Sequence, residues 1–274
     1  MNIDLVLAGV GGQGVLSIAW VLDHAAHAAG LHLKQSEVHG MAQRGGAVSA
    51  CVRLSDVPVA SDLIAAGSAA LIAAVEPLEA LRHTALLRTD GTVVTDVTPM
   101  VNIDNYPDPA ALMRVLFGLP RLVAVDATRL AQAAGTVKAQ NTVVLGALAP
   151  LLPLPLQAIE DQLQALFGPK GERIVQANLR AFRMGCAACG FVQALLPGAK
   201  PGLPDGRWVA TFIGDVVGDP REGVDRGDVG THRRGEQPRG DGEVLVMAGG
   251  QRGACRVGPR ECRVHHSVSG WSAR

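Results

Sequence analysis

The chain has 274 residues, 48% hydrophobic and 3% aromatic, with 25 basic and 25 acidic side chains. That allows one large or two small domains around a core of small aliphatic groups, and the zero net charge argues against a nucleic-acid or membrane-surface partner. No apolar run reaches the roughly 18 to 20 uninterrupted residues of a membrane span, and the opening Met1-Asn2-Ile3-Asp4 lacks a basic leader region.

In chain order, residues 3–9 (IDLVLAG) form a short apolar run ending in glycine, which predicts a buried strand. The spacing of Val15, Ile18, Ala19, Leu22 and Ala26 predicts a helix closed by Gly30. Strands are expected at 31–35, 47–55, 70–76, 92–97 and 121–127, with helices at 77–87 and 108–118 between them. Beyond Lys138 three segments carry a 3.6-residue period and are split by Pro or Gly, which predicts a helical end to the domain. Strands alternating with helices imply an α/β domain with three layers, α/β/α. The short link between the second and third strands predicts a mixed sheet.

The character changes at Gly198. Residues 198–274 hold 16 glycines and 11 arginines against one lysine, with ten acids interspersed. Such composition buries too little surface to offset its ordering entropy. The expected organisation is therefore a globular α/β domain over 1–197 and a Gly/Arg-rich, disordered extension over 198–274. The interspersed acids argue against RNA binding by that extension.

Two segments stand out chemically. Gly9-x-Gly11-x-x-Gly14 follows the first strand and opens the helix, a Rossmann-like loop whose glycines permit a tight turn and let an anion approach the helix N-terminus. Glu37 sits 23 residues past Gly14, near where an acid holds a dinucleotide ribose, although it lies beyond the expected end of the second strand. A glycine turn needed only for strand–helix packing is the alternative explanation. The second segment, QSEVHGMAQRGG at 35–46, fits neither a helix nor a strand period. Its Gln43, Arg44, Gly45 and Gly46 read as a loop presenting a guanidinium and open backbone N–H groups to a phosphate or carboxylate. Arg44 is the one Lys or Arg between Lys34 and Arg53.

Five cysteines without framework spacing suit a reducing cytoplasm. No Cys-x2-Cys-x2-Cys run occurs, so an iron–sulfur cluster of ferredoxin type is not expected in this chain. Cys186-x-x-Cys189 has redox or zinc spacing, and Cys255, Cys262, His265 and His266 could complete a site only from within the extension. The expectation is no metal site, with Cys51 a small buried apolar group.

GVGGQGVL near the N-terminus and KQSEVHGMAQRGGAV after it, followed by AAVEPLEALR, NTVVLGALAPLLPLP and NLRAFRMG, resemble one known family across about residues 1 to 190. It is the γ-type subunit of 2-oxoacid:ferredoxin oxidoreductases, nearest in pattern to the small β subunit of indolepyruvate ferredoxin oxidoreductase. The resemblance implies a subunit inactive alone, with no cofactor of its own. A large partner subunit would hold thiamine diphosphate, Mg and iron–sulfur clusters, ferredoxin would take the electrons, and coenzyme A would be co-substrate. It also implies ligand contacts at Gly9, Gly11, Gly12, Gln13 and Gly14 and at Gln43, Arg44, Gly45 and Gly46. Relatives of the pyruvate type carry a more lysine-rich second loop. Glu37 and His39 are candidates for the active-site wall or the subunit interface, His39 equally for a turn histidine bonded to backbone. Two other readings stay open: an NAD-dependent dehydrogenase built on Gly9–Gly14 and Glu37, and a non-catalytic interaction module.

Overall fold

The computed structural model describes residues 1–40 and 45–195, and beyond them only the strands 211–212, 242–248, 251–257 and 262–263; past residue 190 it describes backbone alone. The main sheet has six strands in the order β2 (His32–His39), β3 (Ala47–Ser55), β1 (Asn2–Val10), β4 (Ala69–Ala74), β5 (Leu87–Asp96), β6 (Leu122–Val125). β3 runs antiparallel to both β1 and β2, while β1, β4, β5 and β6 are mutually parallel. The sheet is mixed because a hairpin joins β2 to β3, and a hairpin can only join antiparallel neighbours.

The central strands are apolar on both faces, as expected for strands covered by helices on each side. One face carries Leu5, Leu7, Val52, Leu71, Val94 and Val123 against α1 (Val15–Ala28), α4 (Ala127–Ala134), α5 (Gln140–Leu148), α6 (Leu156–Phe167) and α7 (Glu172–Leu195). The other carries Val6, Ala8, Ile72 and Val93 against Ala80 of α2 (Pro77–Arg82) and Leu116 of α3 (Pro109–Leu116). The result is the three-layer α/β/α arrangement.

The helical end is layered on itself. Every residue from Asn141 to Leu148 of α5 is buried, because α5 lies between the sheet and α7. Its backbone touches that of α7 at two glycines. A Cβ at Gly146 would stand 2.0 Å from the Phe182 carbonyl oxygen, and one at Gly185 would stand 2.1 Å from that of Val143.

Several boundaries depart from the sequence expectation. β2 extends through His39 rather than ending at 35, so Glu37 and His39 belong to a strand. They sit on an edge strand that is largely exposed, where no apolar alternation is required. The helix expected at 77–87 is α2 followed by a single 3-10 turn, Thr84–Leu86, and β5 starts at Leu87 rather than 92. Helix α4 was absent from the expected elements. It is capped at its start by Asp126, whose carboxylate accepts the Arg129 N–H at 3.0 Å, and at its end by Gly135 with φ 106°. Gly30 closes α1 as anticipated, with φ 71° and its N–H on the His27 carbonyl.

Beyond residue 197 the described strands form a separate antiparallel sheet in the order β10 (Cys262–Arg263), β9 (Gln251–Val257), β8 (Gly242–Ala248), β7 (Thr211–Phe212). Among the described residues no helix is long and apolar enough to cross a membrane.

Candidate functional site

Strand order locates a candidate site. The chain leaves β1 toward β2 and β3 on one side, and leaves β4 toward β5 on the other. In open α/β sheets that reversal opens a crevice beyond the carboxyl ends of the two strands. Three segments converge there: the glycine loop after β1, the β2–β3 hairpin end, and the connection from β5 to α3.

In the first loop Gly9, Gly12 and Gly14 differ in their surroundings. A Cβ on Gly9 would lie 2.7 Å from the Val15 side chain, so Gly9 permits close packing of strand on helix. Gly14 has φ 79°, and its Cβ would meet the Asn141 amide at 2.5 Å; that amide donates to the Gly14 carbonyl at 3.1 Å. Gly12 differs, with φ 103° and, among the described residues other than its chain neighbours, no atom within 4 Å of where a Cβ would be. The open side of the loop is therefore at Gly12, next to the N-terminus of α1. The half-buried Gln13 side chain turns into the protein: its amide oxygen accepts the Val10 N–H at 2.8 Å and its amide nitrogen donates to Val75 O at 3.2 Å, tying the ends of β1 and β4 together.

The two glycine segments, some 30 residues apart in sequence, bond directly to each other. Gly11 N–H donates to Gly46 O at 2.8 Å, and Gly45 N–H donates to Gly11 O at 3.3 Å. This corrects the expectation of an open amide at Gly45, since that donor is already satisfied by the other loop. Gly45 has φ 77°, and its carbonyl accepts the Asn102 side-chain amide at 2.6 Å. Gln43 and Arg44 lie outside the described residues.

Sequence reading did not anticipate Glu76. It follows β4, is 1% exposed, and caps α2 by accepting the Glu79 N–H at 2.8 Å. Its other oxygen accepts the Met100 N–H at 3.3 Å and the hydroxyl of Tyr106, the chain's single tyrosine. Burial, then the hydrogen bond to Glu76, pushes the Tyr106 hydroxyl well above its ordinary pKa, so it acts as a donor. Burial likewise raises the neighbouring Glu79 carboxyl, opposed by Arg82 at 3.0 Å. One strand further, Asp96 is 2% exposed and accepts the Thr98 and Ala127 N–H groups, both at 3.1 Å. Burial pushes its carboxyl up to about 6 despite those bonds. The signal for Glu76 was available, since an acid followed by proline and a second acid three residues later is a helix start.

Glu37 lies apart from this crevice, whereas His39, two strands from β1, is level with Gly9 at the hairpin end. Their side chains pair with each other at 3.1 Å, and Glu37 also takes the Gln35 amide at 2.5 Å. Since β3 intervenes, β2 stands two strand spacings, about 10 Å, from β1. Through the ladder Glu37 is level with Ala50 and Leu7, below the loop. An acid there cannot reach a ribose seated at Gly11–Gly14, which removes the geometric basis of the dinucleotide reading. Cys186 and Cys189 are buried on α7, and burial pushes the Cys189 thiol up to about 12, which suits packing rather than ligation. Among the described residues no three His, Cys, Asp or Glu side chains gather to hold a metal, and His265 and His266 lie outside them.

Residues 4–188 match the family described as pyruvate ferredoxin/flavodoxin oxidoreductase, and the chain belongs to that family, as a γ-type subunit of the 2-oxoacid:ferredoxin oxidoreductases. Its relatives include the indolepyruvate oxidoreductase subunit IorB of Archaeoglobus fulgidus, 37% identical over 192 residues that cover 68% of this chain and 94% of the relative. The IorB subunit of Thermococcus kodakarensis is 35% identical over 196 residues, covering 68% and 95%. Among solved structures the fold is shared with a keto/oxoacid ferredoxin oxidoreductase γ subunit from Geobacter sulfurreducens. There the TM-score is 0.52 and the identity 23%, covering 69% of this chain and 99% of that one. It is also shared with the 2-oxoglutarate:ferredoxin oxidoreductase of Magnetococcus marinus, solved with 2-oxoglutarate, coenzyme A and succinyl-CoA bound, at TM-score 0.57 and 21% identity. The match covers 69% of this chain but 31% of that longer polypeptide.

Proposed function

We propose that this chain is the small subunit of an arylpyruvate-type, most specifically indolepyruvate, 2-oxoacid:ferredoxin oxidoreductase, inactive alone, that completes the active site and helps bind coenzyme A. The observation that carries the reading is the joined pair of glycine loops at the β1–β4 crevice. Among the described residues, Gly12 leaves open space beside the N-terminus of a helix of 14 residues, a setting that favours an anion. The near full-length similarity to IorB subunits supports the substrate class. Arg44, by sequence the nearest cation to the Gly45–Gly46 turn, would add a guanidinium for a phosphate or carboxylate.

Thiamine-dependent decarboxylation and electron transfer through iron–sulfur clusters to ferredoxin belong, in this reading, to the partner subunit with its Mg and thiamine diphosphate. This chain's own residues do other work. Gln13 and the cross-loop bonds hold the loop in shape, Gly12 admits the ligand, and Glu76 fixes the neighbouring connection. The test is reconstitution with a large thiamine-bearing subunit, following arylpyruvate-dependent and coenzyme A-dependent ferredoxin reduction. Activity is expected from the complex and not from either subunit alone. Tight NADH binding by the isolated chain, or full coenzyme A-dependent activity of the partner without it, would contradict the proposal.

A further inference from the structure

We infer that the β5–α3 connection, residues 97–108, is a brace that sets the position of the two glycine loops, and that Asn102 is the positioning residue through which it acts. The inference rests on the reading that those loops meet coenzyme A. The connection starts at β5, yet Asn102 reaches the hairpin end between β2 and β3, across the ends of β4 and β1. A segment spanning that distance needs anchors on both sides of its contact, and it has them. Before Asn102, Thr98 N–H is held by Asp96 and Met100 N–H by Glu76. After it, Tyr106 N–H donates to Ile103 O at 3.2 Å, the Tyr106 hydroxyl returns to Glu76, and Asp108 caps α3. Glu76 therefore clamps the segment on each side of Asn102 from a single buried carboxylate.

The consequence falls on one residue. Gly45 has its N–H on Gly11 O and its carbonyl on Asn102, so both ends of its backbone are fixed. Glycine otherwise rotates with little steric restriction. A Gly45 carbonyl released from Asn102 can turn toward the crevice, where its oxygen would repel an anion. Preorganisation of this kind affects ligand affinity more than it affects the chemistry that follows.

The experiment is steady-state kinetics of the reconstituted complex with coenzyme A, 2-oxoacid and ferredoxin varied in turn. Asn102→Ala should raise the KM for coenzyme A about three- to tenfold, the range expected for losing one neutral hydrogen bond, and leave the 2-oxoacid KM and kcat within about twofold. Asn102→Asp should be worse than alanine, since it sets a carboxylate against the Gly45 oxygen, and Asn102→Gln should recover part of the loss. Gly12→Val, at the open face of the loop, separates the two layers of the argument. A coenzyme A effect from Gly12→Val with none from Asn102→Ala overturns the brace while leaving the site in place. Silence from both overturns the site and the brace together. A uniform fall in all parameters, or dissociation of the complex, would make Asn102 an interface or folding residue and overturn its positioning role.

Discussion

Asp96→Asn isolates a carboxyl that the fold holds at a cost. Asp96 is 2% exposed, and burial moves it from the ordinary 3.8 up to about 6, a difference worth roughly 3 kcal/mol between its two protonation states. The sign follows from proton binding. Between about pH 4 and 6 the folded chain keeps this proton while the unfolded chain releases it, so stability falls as pH rises through that window. Asparagine retains a carbonyl oxygen for the Thr98 and Ala127 N–H groups and never ionises. Near pH 4 the variant and wild type should therefore have nearly equal stability. Near pH 7.5 the variant should be more stable, by about 2 to 3 kcal/mol. Urea unfolding of the full chain at half-unit pH steps, followed by circular dichroism, reads the difference directly. A difference that does not change with pH, or a variant less stable at pH 7.5, would refute the reasoning.

Other outcomes follow from the same packing and bonding. Gly146→Ala places a Cβ against the Phe182 carbonyl and should cost about 3 kcal/mol, whereas Gly190→Ala, with nothing within 4 Å among the described residues, should be neutral or stabilising by up to about 1 kcal/mol; thermal melts compare them. Tyr106→Phe removes a hydrogen bond to a buried carboxylate and should lower stability by about 1.5 to 3 kcal/mol in the same assay. Arg44→Ala should raise the coenzyme A KM of the complex about tenfold to a hundredfold, with Arg44→Lys recovering only part, since lysine cannot make a bidentate contact.

What could be read from the sequence was what local patterning encodes. The apolar run of β1, the stripe of α1 with its Gly30 cap, and the short β2–β3 link fixed the start of the domain and its mixed sheet. Edge strand β2 escaped in part because Ser36–His39 are mostly exposed and need no alternation. Helix α4 is eight residues long and begins on an Asp cap directly after a strand, so its short period merged with its neighbour. The 3.6 spacing of α5 gave the helix but not its complete burial, which depends on α7 arriving 40 residues later at Gly185. At the site, both glycine segments were visible as motifs. Their bonding to each other, and the clamp from Glu76 to Tyr106 and from Asn102 to Gly45, join residues 30 to 57 positions apart with no shared local pattern.

Amide hydrogen exchange on the reconstituted complex, with and without coenzyme A, tests most directly whether the joined glycine loops are the ligand's site. Coenzyme A should slow exchange in peptides covering residues 10–16 and 40–47, and leave the strand at 32–38 unchanged. Protection confined to the partner subunit, or appearing in this chain only away from those two loops, would contradict the account.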